Sequence, residues 1–314
     1  MEKQIMKQGN KKNKVISNFK RSLPFLLLAL PGAIVLFLFR LMPLFGLILP
    51  FKNYNPTLGF WKSDWAGLKN FEFLFRSDDV INATRNTLFY NAVGIIAGIV
   101  VGVGIALLLF ELANKYVKIY QTILYLPYFI SFVVVAFIMK GLLDMDYGIF
   151  NKIIVYFGGE KLMWYNDPKY WFWIIPILSV WKSLGNNVLM YYAALIGISP
   201  ELYESARIDG AGKLKQVWYI SIPMIKNIIV VLFILNIGKI MYADFGLFYN
   251  VPLNIGLLYP ATDVLDTYVY RALMTIGDIG MSSAAAFYQA VVGFILVIVS
   301  NSVAKKIDPE SGMF

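Results

Sequence analysis

The chain has 314 residues, of which 59% are hydrophobic and only 15% are charged, and its mean hydropathy is +0.64. Soluble domains are about half apolar and about a quarter charged, so this composition excludes an ordinary soluble domain and indicates a polytopic membrane protein. The absence of cysteine and histidine excludes thiol nucleophiles, disulfides, imidazole bases and metal sites built on either residue.

The N-terminal residues 1–22 carry much of the net charge of +9. The seven basic residues of this segment are Lys3, Lys7, Lys11, Lys12, Lys14, Lys20 and Arg21. A basic segment next to a membrane span is attracted to anionic lipid headgroups. We therefore predict a cytoplasmic tail that contacts membrane lipid, and the net charge does not require a nucleic-acid partner.

Six apolar stretches are long enough to cross a bilayer, which takes about 20 residues. They are residues 23–49, 87–111, 119–143, 171–196, 224–247 and 283–304. The first is too long for a signal peptide and lacks a small-residue cleavage site, so we expect it to be retained. The sequence predicts an all-α fold with one six-helix transmembrane domain, residues 23–304, and a short tail, residues 305–314.

The distribution of lysine and arginine orients the predicted spans. The N-terminal tail, the 112–118 turn, the 197–226 loop and the C-terminal tail together hold 15 basic residues, and the opposite segments hold 9. Because basic residues accumulate on the cytoplasmic side, both termini and the 197–226 loop are predicted to be cytoplasmic.

The two longest external segments, 50–86 and 248–282, are not plain loops. The first mixes Pro, Gly, Trp and Phe, which indicates an interfacial stretch followed by an amphipathic helix. The second contains Pro252, Pro260 and several aspartates. It is expected either to dock a soluble partner or to form an ordered cap.

The second predicted span carries Gly94, Gly98 and Gly102 on one helix face. Glycines at this spacing allow a neighbouring helix to approach closely, so the pattern favours tight helix packing over a role in a pore.

Polar residues cluster at matching depths in the fourth and fifth predicted spans. Lys182 and Lys239 each lie about 20 Å from the cytoplasmic end of their helix, at 1.5 Å per residue. The amides near them are those of Asn186, Asn187 and Asn236. Charges at this depth usually face a cavity. Two interpretations remain open: a substrate cavity lined by these five residues, or snorkelling lysines with hydrogen bonds between helices.

The 197–223 loop joins these two spans and carries a spaced pattern. Its members are Glu204, Ser205, Ala206, Asp209, Gly210, Ile220, Ile222 and Pro223. The spacing resembles the EAA loop of ABC-importer permeases, with Ser205 in place of the first alanine and Ile222 in place of leucine.

Local chemistry agrees with a helix–turn–helix in this loop. Pro200 is suited to the first turn of a helix, and Gly210 to a left-handed stop. Leu214, Val217 and Trp218 give a second short helix one apolar face, and Pro223 then opens the following span. An ordinary cytoplasmic loop with an amphipathic helix is the alternative.

The chain as a whole resembles the permease subunits of type I ABC importers for carbohydrates, and most closely the LplB-like subgroup for complex oligosaccharides. RLMPLFGLILPFKNY (40–54), RNTL (85–88) and LPYFIS (126–131) resemble segments of that subgroup. The resemblance implies the type I ABC importer permease fold and a location in the bacterial cytoplasmic membrane.

The resemblance also implies the partners of the chain. They are a second homologous permease, two cytoplasmic ATPases and an extracytoplasmic solute-binding protein. In this family the EAA helix fits a cleft on the ATPase, and Glu204, Ala206, Asp209 and Gly210 match its core positions. ATP and Mg then belong to the ATPase, and no cofactor is expected on this chain.

The sequence offers little support for other classes. GAGKL (210–214) lacks the first glycine and the Ser/Thr of a phosphate-binding loop. An ion-coupled secondary transporter is expected to show broken helices or paired intramembrane carboxylates. A membrane enzyme needs a catalytic cluster, whereas Asp144, Asp146 and Asp278 are scattered.

The two deep lysines, Lys182 and Lys239, favour an anionic oligosaccharide as substrate. A neutral glycan is the competing interpretation, with the lysines paired to carboxylates of the other permease.

Overall fold

The computed structural model describes residues 22–307. The predicted N-terminal tail, except Ser22, and residues 308–314 of the predicted C-terminal tail lie outside the described residues. The first eight helices are α1 Ser22–Phe51, α2 Gly59–Lys62, α3 Glu72–Arg76, α4 Asp78–Phe110, α5 Asn114–Phe129, α6 Phe132–Leu142, α7 Ile149–Tyr156 and α8 Trp171–Ile196. They are followed by α9 Pro200–Ile208, α10 Lys213–Gln216, α11 Ile222–Ile237, α12 Phe245–Asn250, α13 Tyr259–Thr262, α14 Leu265–Arg271 and α15 Ile279–Ile307.

Four helices within residues 22–307 are both long and apolar enough to cross a membrane, or five if the bent pair α5–α6 counts as one span. The four are α1, α4, the continuous helix from Lys213 to Ile237, and α15. α8 has 26 residues, which suffices in length, but Lys182, Asn186 and Asn187 lower its hydropathy. The count of six spans stays a prediction.

The third predicted span, 119–143, is not one helix. α5 and α6 meet at an angle of 94°. Pro127 lies in the last turn of α5, where its missing N–H and its ring disturb the helical hydrogen bonding. Ile130 is extended, and the Ser131 side chain then caps α6 by accepting a hydrogen bond from the Val134 N–H. The prediction of one helix over residues 119–143 is therefore wrong.

The fifth predicted span, 224–247, is also interrupted. α11 ends at Ile237, and a non-helical stretch, residues 238–244, precedes α12. Gly238 has no side chain and so allows α15 to come close at this point. A Cβ here would lie only 2.7 Å from a Val297 methyl carbon. Asp244 begins α12 by accepting from the N–H groups of Gly246 and Leu247.

The two long segments predicted to be external, 50–86 and 248–282, are ordered. Strands β1 Lys52–Asn53 and β2 Asp64–Trp65 form a small antiparallel hairpin, with Lys52 opposite Trp65. The Lys52 ammonium is buried and donates to the carbonyls of Phe60, Trp61 and Ser63. Residues 248–282 form a cap of short helices, which buries Leu258, Val264 and Leu265 completely.

The four-residue motif RNTL fixes this cap to α4. The Asn86 amide donates to the carbonyls of Pro260 and Asp263, and the Thr87 hydroxyl accepts from the Leu265 N–H. One turn further along α4, the Tyr90 hydroxyl donates to the Ala261 carbonyl at 2.6 Å. A row of polar side chains on α4 thus satisfies backbone groups of α13, of the link after it and of the first residue of α14.

The glycine stripe of α4 packs against α8, as the spacing predicts. A Cβ at Gly98 would lie 3.0 Å from the Asn187 side-chain nitrogen. One at Gly102 would lie 3.1 Å from the Tyr191 ring. The small residues therefore set how close the two helices can approach.

Candidate functional site

The 197–223 loop, called the coupling loop after the role that the resemblance implies, has the predicted helix and turn. α9 begins at Pro200 and ends in a Schellman motif, in which the Ala211 N–H donates to the Ala206 carbonyl and the Gly210 N–H to the Arg207 carbonyl. Gly210 has a φ of +78°, which only glycine adopts without a steric penalty. The sequence pattern therefore corresponds to a defined turn.

The second half of the loop differs from the expected short separate helix. Residues 213–237 form one continuous helix with a widened π-helical turn at Val217–Ser221, closed by the Ile222 N–H on the Val217 carbonyl. Pro223 follows directly. Its ring would clash with the carbonyl four residues earlier, and the wider turn relieves that clash. Pro223 thus lies inside the helix and does not begin it.

Two side chains of the coupling loop, those of Tyr203 and Lys213, hold it together and join it to α4. Tyr203 is buried, its hydroxyl lies 2.9 Å from the Ser221 hydroxyl, and its ring lies 5.6 Å from that of Phe110. Lys213 forms an ion pair with Glu111 at the end of α4. The loop is therefore joined to the end of α4 and to the beginning of the helix that continues into α11.

The opposite side of the loop is exposed. Glu204, Ser205, Asp209 and Gly210 are all accessible, while Ala206 and Ile220 are partly buried. Ile208 and Leu214 flank the turn and are 88% and 77% exposed. Large apolar side chains in such a position are typical of a surface that a partner protein covers.

A cavity of about 320 Å³ lies between α4, α8 and α11. Its volume falls at the lower end of the range for small-molecule sites. The polar and aromatic residues that line it are Tyr90, Asn91, Ser179, Ser183, Asn186, Asn187, Tyr191, Asn236 and Lys239. Four of the five residues that the sequence predicts for a substrate cavity are thus brought together.

The charge in this cavity comes from Lys239, which lies in the non-helical stretch just after α11. Its ammonium has no hydrogen-bond or ion-pair partner among residues 22–307, and the same holds for the side-chain amides of Asn186 and Asn187. The Asn236 amide donates to the Leu232 carbonyl of its own helix. The cavity therefore presents one cation and two amides that are available to a ligand.

Side chains from three helices hold the stretch that carries Lys239. The Asn91 amide donates to the carbonyls of Ile240 and Tyr242, at 2.8 and 3.1 Å. From α15, Gln289 donates to the Met241 carbonyl at 2.7 Å. Asp266 on α14 accepts from the Ala243 N–H, and burial raises the pKa of this carboxyl group. These contacts fix the position of Lys239 relative to α4.

Lys182 does not line the cavity. Its ammonium donates to the carbonyls of Pro127, Tyr128 and Ile130 at the end of α5. An ammonium has three N–H donors, and all three are engaged. The expectation that Lys182 contacts substrate is corrected, since no donor remains for a ligand.

Sequence reasoning missed Asn91 and Gln289. Both are amides within otherwise apolar helices, the same signal that identified Asn186 and Asn236. Polar side chains in membrane helices usually have a specific partner, so these two residues were accessible to the same argument. Their partners were not, because the non-helical stretch was predicted to be helical.

A bundle of apolar helices with a polar cavity between them is typical of membrane transport components. Residues 94–309 match the family described as binding-protein-dependent transport system inner membrane component. The chain belongs to this family.

Relatives agree with this assignment. The chain is 37% identical over 313 residues to the polygalacturonan/rhamnogalacturonan transport system permease protein YteP of Bacillus subtilis, covering 98% of this chain and 95% of that protein. It is 34% identical to the protein LplB of the same organism, with 94% and 92% covered. The predicted resemblance to the LplB-like permeases is confirmed.

Solved structures support the fold. A crystal structure of a bacterial ABC transporter involved in the import of the acidic polysaccharide alginate matches with a TM-score of 0.85 and 30% identity, covering 94% of this chain and 99% of that one. A second structure shows an alginate transporter in complex with an alginate pentasaccharide-bound periplasmic protein, with a TM-score of 0.84, 30% identity, and 93% and 97% covered. The predicted all-α ABC importer permease fold is confirmed.

Proposed function

We propose that this chain is a permease subunit of an ABC importer that carries an anionic oligosaccharide across the membrane by alternating access. The coupling loop docks in a cleft of a cytoplasmic ATPase, which binds ATP and Mg. A second permease, a second ATPase and an extracytoplasmic solute-binding protein complete the importer. The exposed Glu204, Asp209 and Gly210 beside the apolar Ile208 support the docking role.

The observation that carries the substrate class is the unpaired ammonium of Lys239 at the cavity. Lys239 is exposed on this chain but lies within the fifth predicted span, where a charge is costly unless it is paired, and no described residue pairs with it. A carboxylate on the sugar compensates that cost through a charge-assisted hydrogen bond. The amides of Asn186 and Asn187 are then available to sugar hydroxyl groups, and the rings of Tyr90 and Tyr191 supply apolar surface.

The names of similar proteins point to the same chemistry. Polygalacturonan, transported by one relative, is a polymer of uronic acid residues, and alginate is described as an acidic polysaccharide. We therefore propose a uronate-containing oligosaccharide as the substrate, with Lys239 as its carboxylate partner.

The test replaces Lys239 by methionine, which keeps most of the apolar length and removes the charge. Uptake is measured in vesicles containing the complete importer, with an oligogalacturonide and with its methyl ester, in which the carboxylates are neutral. Hydrogen bonds to charged groups contribute about 1.5–3 kcal/mol, so uptake of the acid falls roughly tenfold or more. Uptake of the methyl ester is expected to change little. Lys140→Met, at the exposed outer end of α6, is the matched control.

Unchanged uptake of the acid by Lys239→Met contradicts the cavity assignment. Equal losses for the acid and its ester leave Lys239 in the cavity but contradict its pairing with a carboxylate. In that case the ammonium pairs with a group of the second permease.

A further inference from the structure

The break in the third predicted span leaves the C-terminal end of a helix in the middle of that span. α5 stops at Phe129, and the chain turns by 94° into α6. The last carbonyls of a helix have no partner within it, and they lie at the negative end of its dipole. In a membrane such groups must be satisfied by other parts of the protein.

Lys182 satisfies them from a neighbouring helix. Its ammonium bonds the Pro127 and Tyr128 carbonyls, each at 3.0 Å, and also the Ile130 carbonyl in the turn itself. It lies 4.8 Å from the centre of the Phe132 ring, a cation–π contact on the α6 side of the break. One charge therefore contacts both halves of the broken span.

The approach of α8 to α5 makes this reach possible. Gly185, one turn after Lys182, lies so close to α5 that a Cβ on it would be 2.5 Å from the Tyr125 Cα. On the other side of the break, a Cβ on Gly246 of α12 would lie 2.7 Å from a ring carbon of Phe132. The break is thus packed between α8 and the helix that follows the Lys239 stretch.

Helix ends of this kind bind small cations in ion-coupled transporters, where broken spans coordinate the coupling ion through freed carbonyls. We propose that Lys182 is a tethered cation: its ammonium fills the carbonyl site at the end of α5 that an exchangeable ion would otherwise occupy, and thereby fixes the angle between α5 and α6. Lys182 is a positioning residue, and it makes no contact with substrate. The broken span then needs no ion from solution, in keeping with an importer driven by ATP.

The experiment removes the tether and supplies the cation separately. Lys182→Ala deletes the three outer carbons and the nitrogen of the side chain, and the propylammonium ion has these same atoms. Lys182→Met removes the charge but leaves the space filled. Lys140→Ala is the control for an exposed lysine. Each variant is prepared within the complete importer, and propylammonium chloride is titrated against propan-1-ol, the neutral analogue with the same number of heavy atoms.

Two readouts are used because only one depends on the proposed function. The first is the apparent melting temperature of the purified complex, which reports the packing at the break. The second is ATP hydrolysis stimulated by the solute-binding protein. We expect both to fall in Lys182→Ala and to recover in a saturable manner with propylammonium. Lys182→Met is expected to fall without recovery, and Lys140→Ala to match the parent chain.

Recovery with propan-1-ol to the same extent contradicts the proposal, because filling the space without a charge would then suffice. So does a Lys182→Ala variant with parental melting temperature and hydrolysis, or one whose losses propylammonium leaves unchanged. If the melting temperature recovers and stimulated hydrolysis does not, the tethered cation is supported and the coupling function is the part that fails.

Discussion

Gly185 controls how closely α8 packs on α5. We predict that Gly185→Ala destabilises the protein, because the new methyl group would collide with the Leu124–Tyr125 backbone, which cannot move aside like a flexible side chain. Overpacking of this kind costs about 1–3 kcal/mol. The measurement is the apparent melting temperature in detergent, which is expected to fall by several degrees.

Gly104→Ala serves as the control for this prediction, since no atom lies within 4 Å of a Cβ at Gly104. If both variants melt with the parent chain, α5 and α8 do not approach each other as closely as described.

The two deep lysines illustrate what a sequence can and cannot give at the residue scale. Counting residues placed Lys182 and Lys239 at similar depths in the membrane. The depth of a lysine does not determine where its side chain points or which group its ammonium contacts. Lys182 contacts the end of a broken helix that the hydropathy pattern presents as continuous. Lys239 lies beyond the end of α11 and faces the cavity. The two lysines differ in their tertiary contacts. The partners of Lys182 lie 52 to 55 positions earlier in the sequence.

At the scale of elements, the coupling loop gives the sharpest prediction. Gly210→Val forces a β-branched residue to a φ of +78°, at a cost on the order of 1–2 kcal/mol. α9 would then point away from its docking direction. The complex is expected to assemble in the membrane, while transport and stimulated ATP hydrolysis are lost. Glu204→Lys, which reverses an exposed charge at the same surface, is expected to have the same effect.

Gly212→Ala provides the matched control in the same loop, because Gly212 has an ordinary φ of −70° and open space around its Cα. Normal stimulated hydrolysis in both Gly210→Val and Glu204→Lys would show that another element transmits the coupling.

The helices that the sequence predicted best are those whose pattern is local. Pro200, Gly210 and the long apolar run of α4 each have a local cause, and the structure contains the corresponding start, turn and helix. The breaks at 130–131 and 238–244 were missed because their stability comes from distant donors. Pro127 and Gly238 were the local signals of a break, yet proline and glycine also occur in membrane helices that are not broken.

At the scale of the whole molecule, the cavity and the coupling loop share two helices. α8 carries Asn186 and Asn187 and leads into the loop, and the helix that leaves the loop carries Asn236. About ten residues of α8 separate the cavity from the start of the loop, roughly 15 Å at 1.5 Å per residue. The buried contact of Tyr203 with Ser221 joins the two sides of the loop. A movement of the loop is therefore expected to move α8 and α11, which form walls of the cavity.

The orientation of the molecule in the membrane provides the last prediction. With 15 basic residues on the side of the N-terminus and 9 on the other, the coupling loop is expected to face the cytoplasm. The chain has no cysteine, so single cysteines can be introduced without background. Cysteines at Lys12, Lys213 and Lys305 are expected to resist an impermeant thiol reagent in intact cells and to react once the cells are opened. A cysteine at Lys161, exposed in the segment between α7 and α8, is expected to react in intact cells.

Asp263 is unsuitable as a second external position because it is buried and ion-paired with Arg271. Asp146, the exposed partner of Lys161, is the better choice, and a cysteine there is expected to react as readily. Reaction at Lys213 in intact cells would reverse the orientation. The coupling loop would then lie on the side of the membrane where no ATP is available, and its docking on an ATPase would be ruled out.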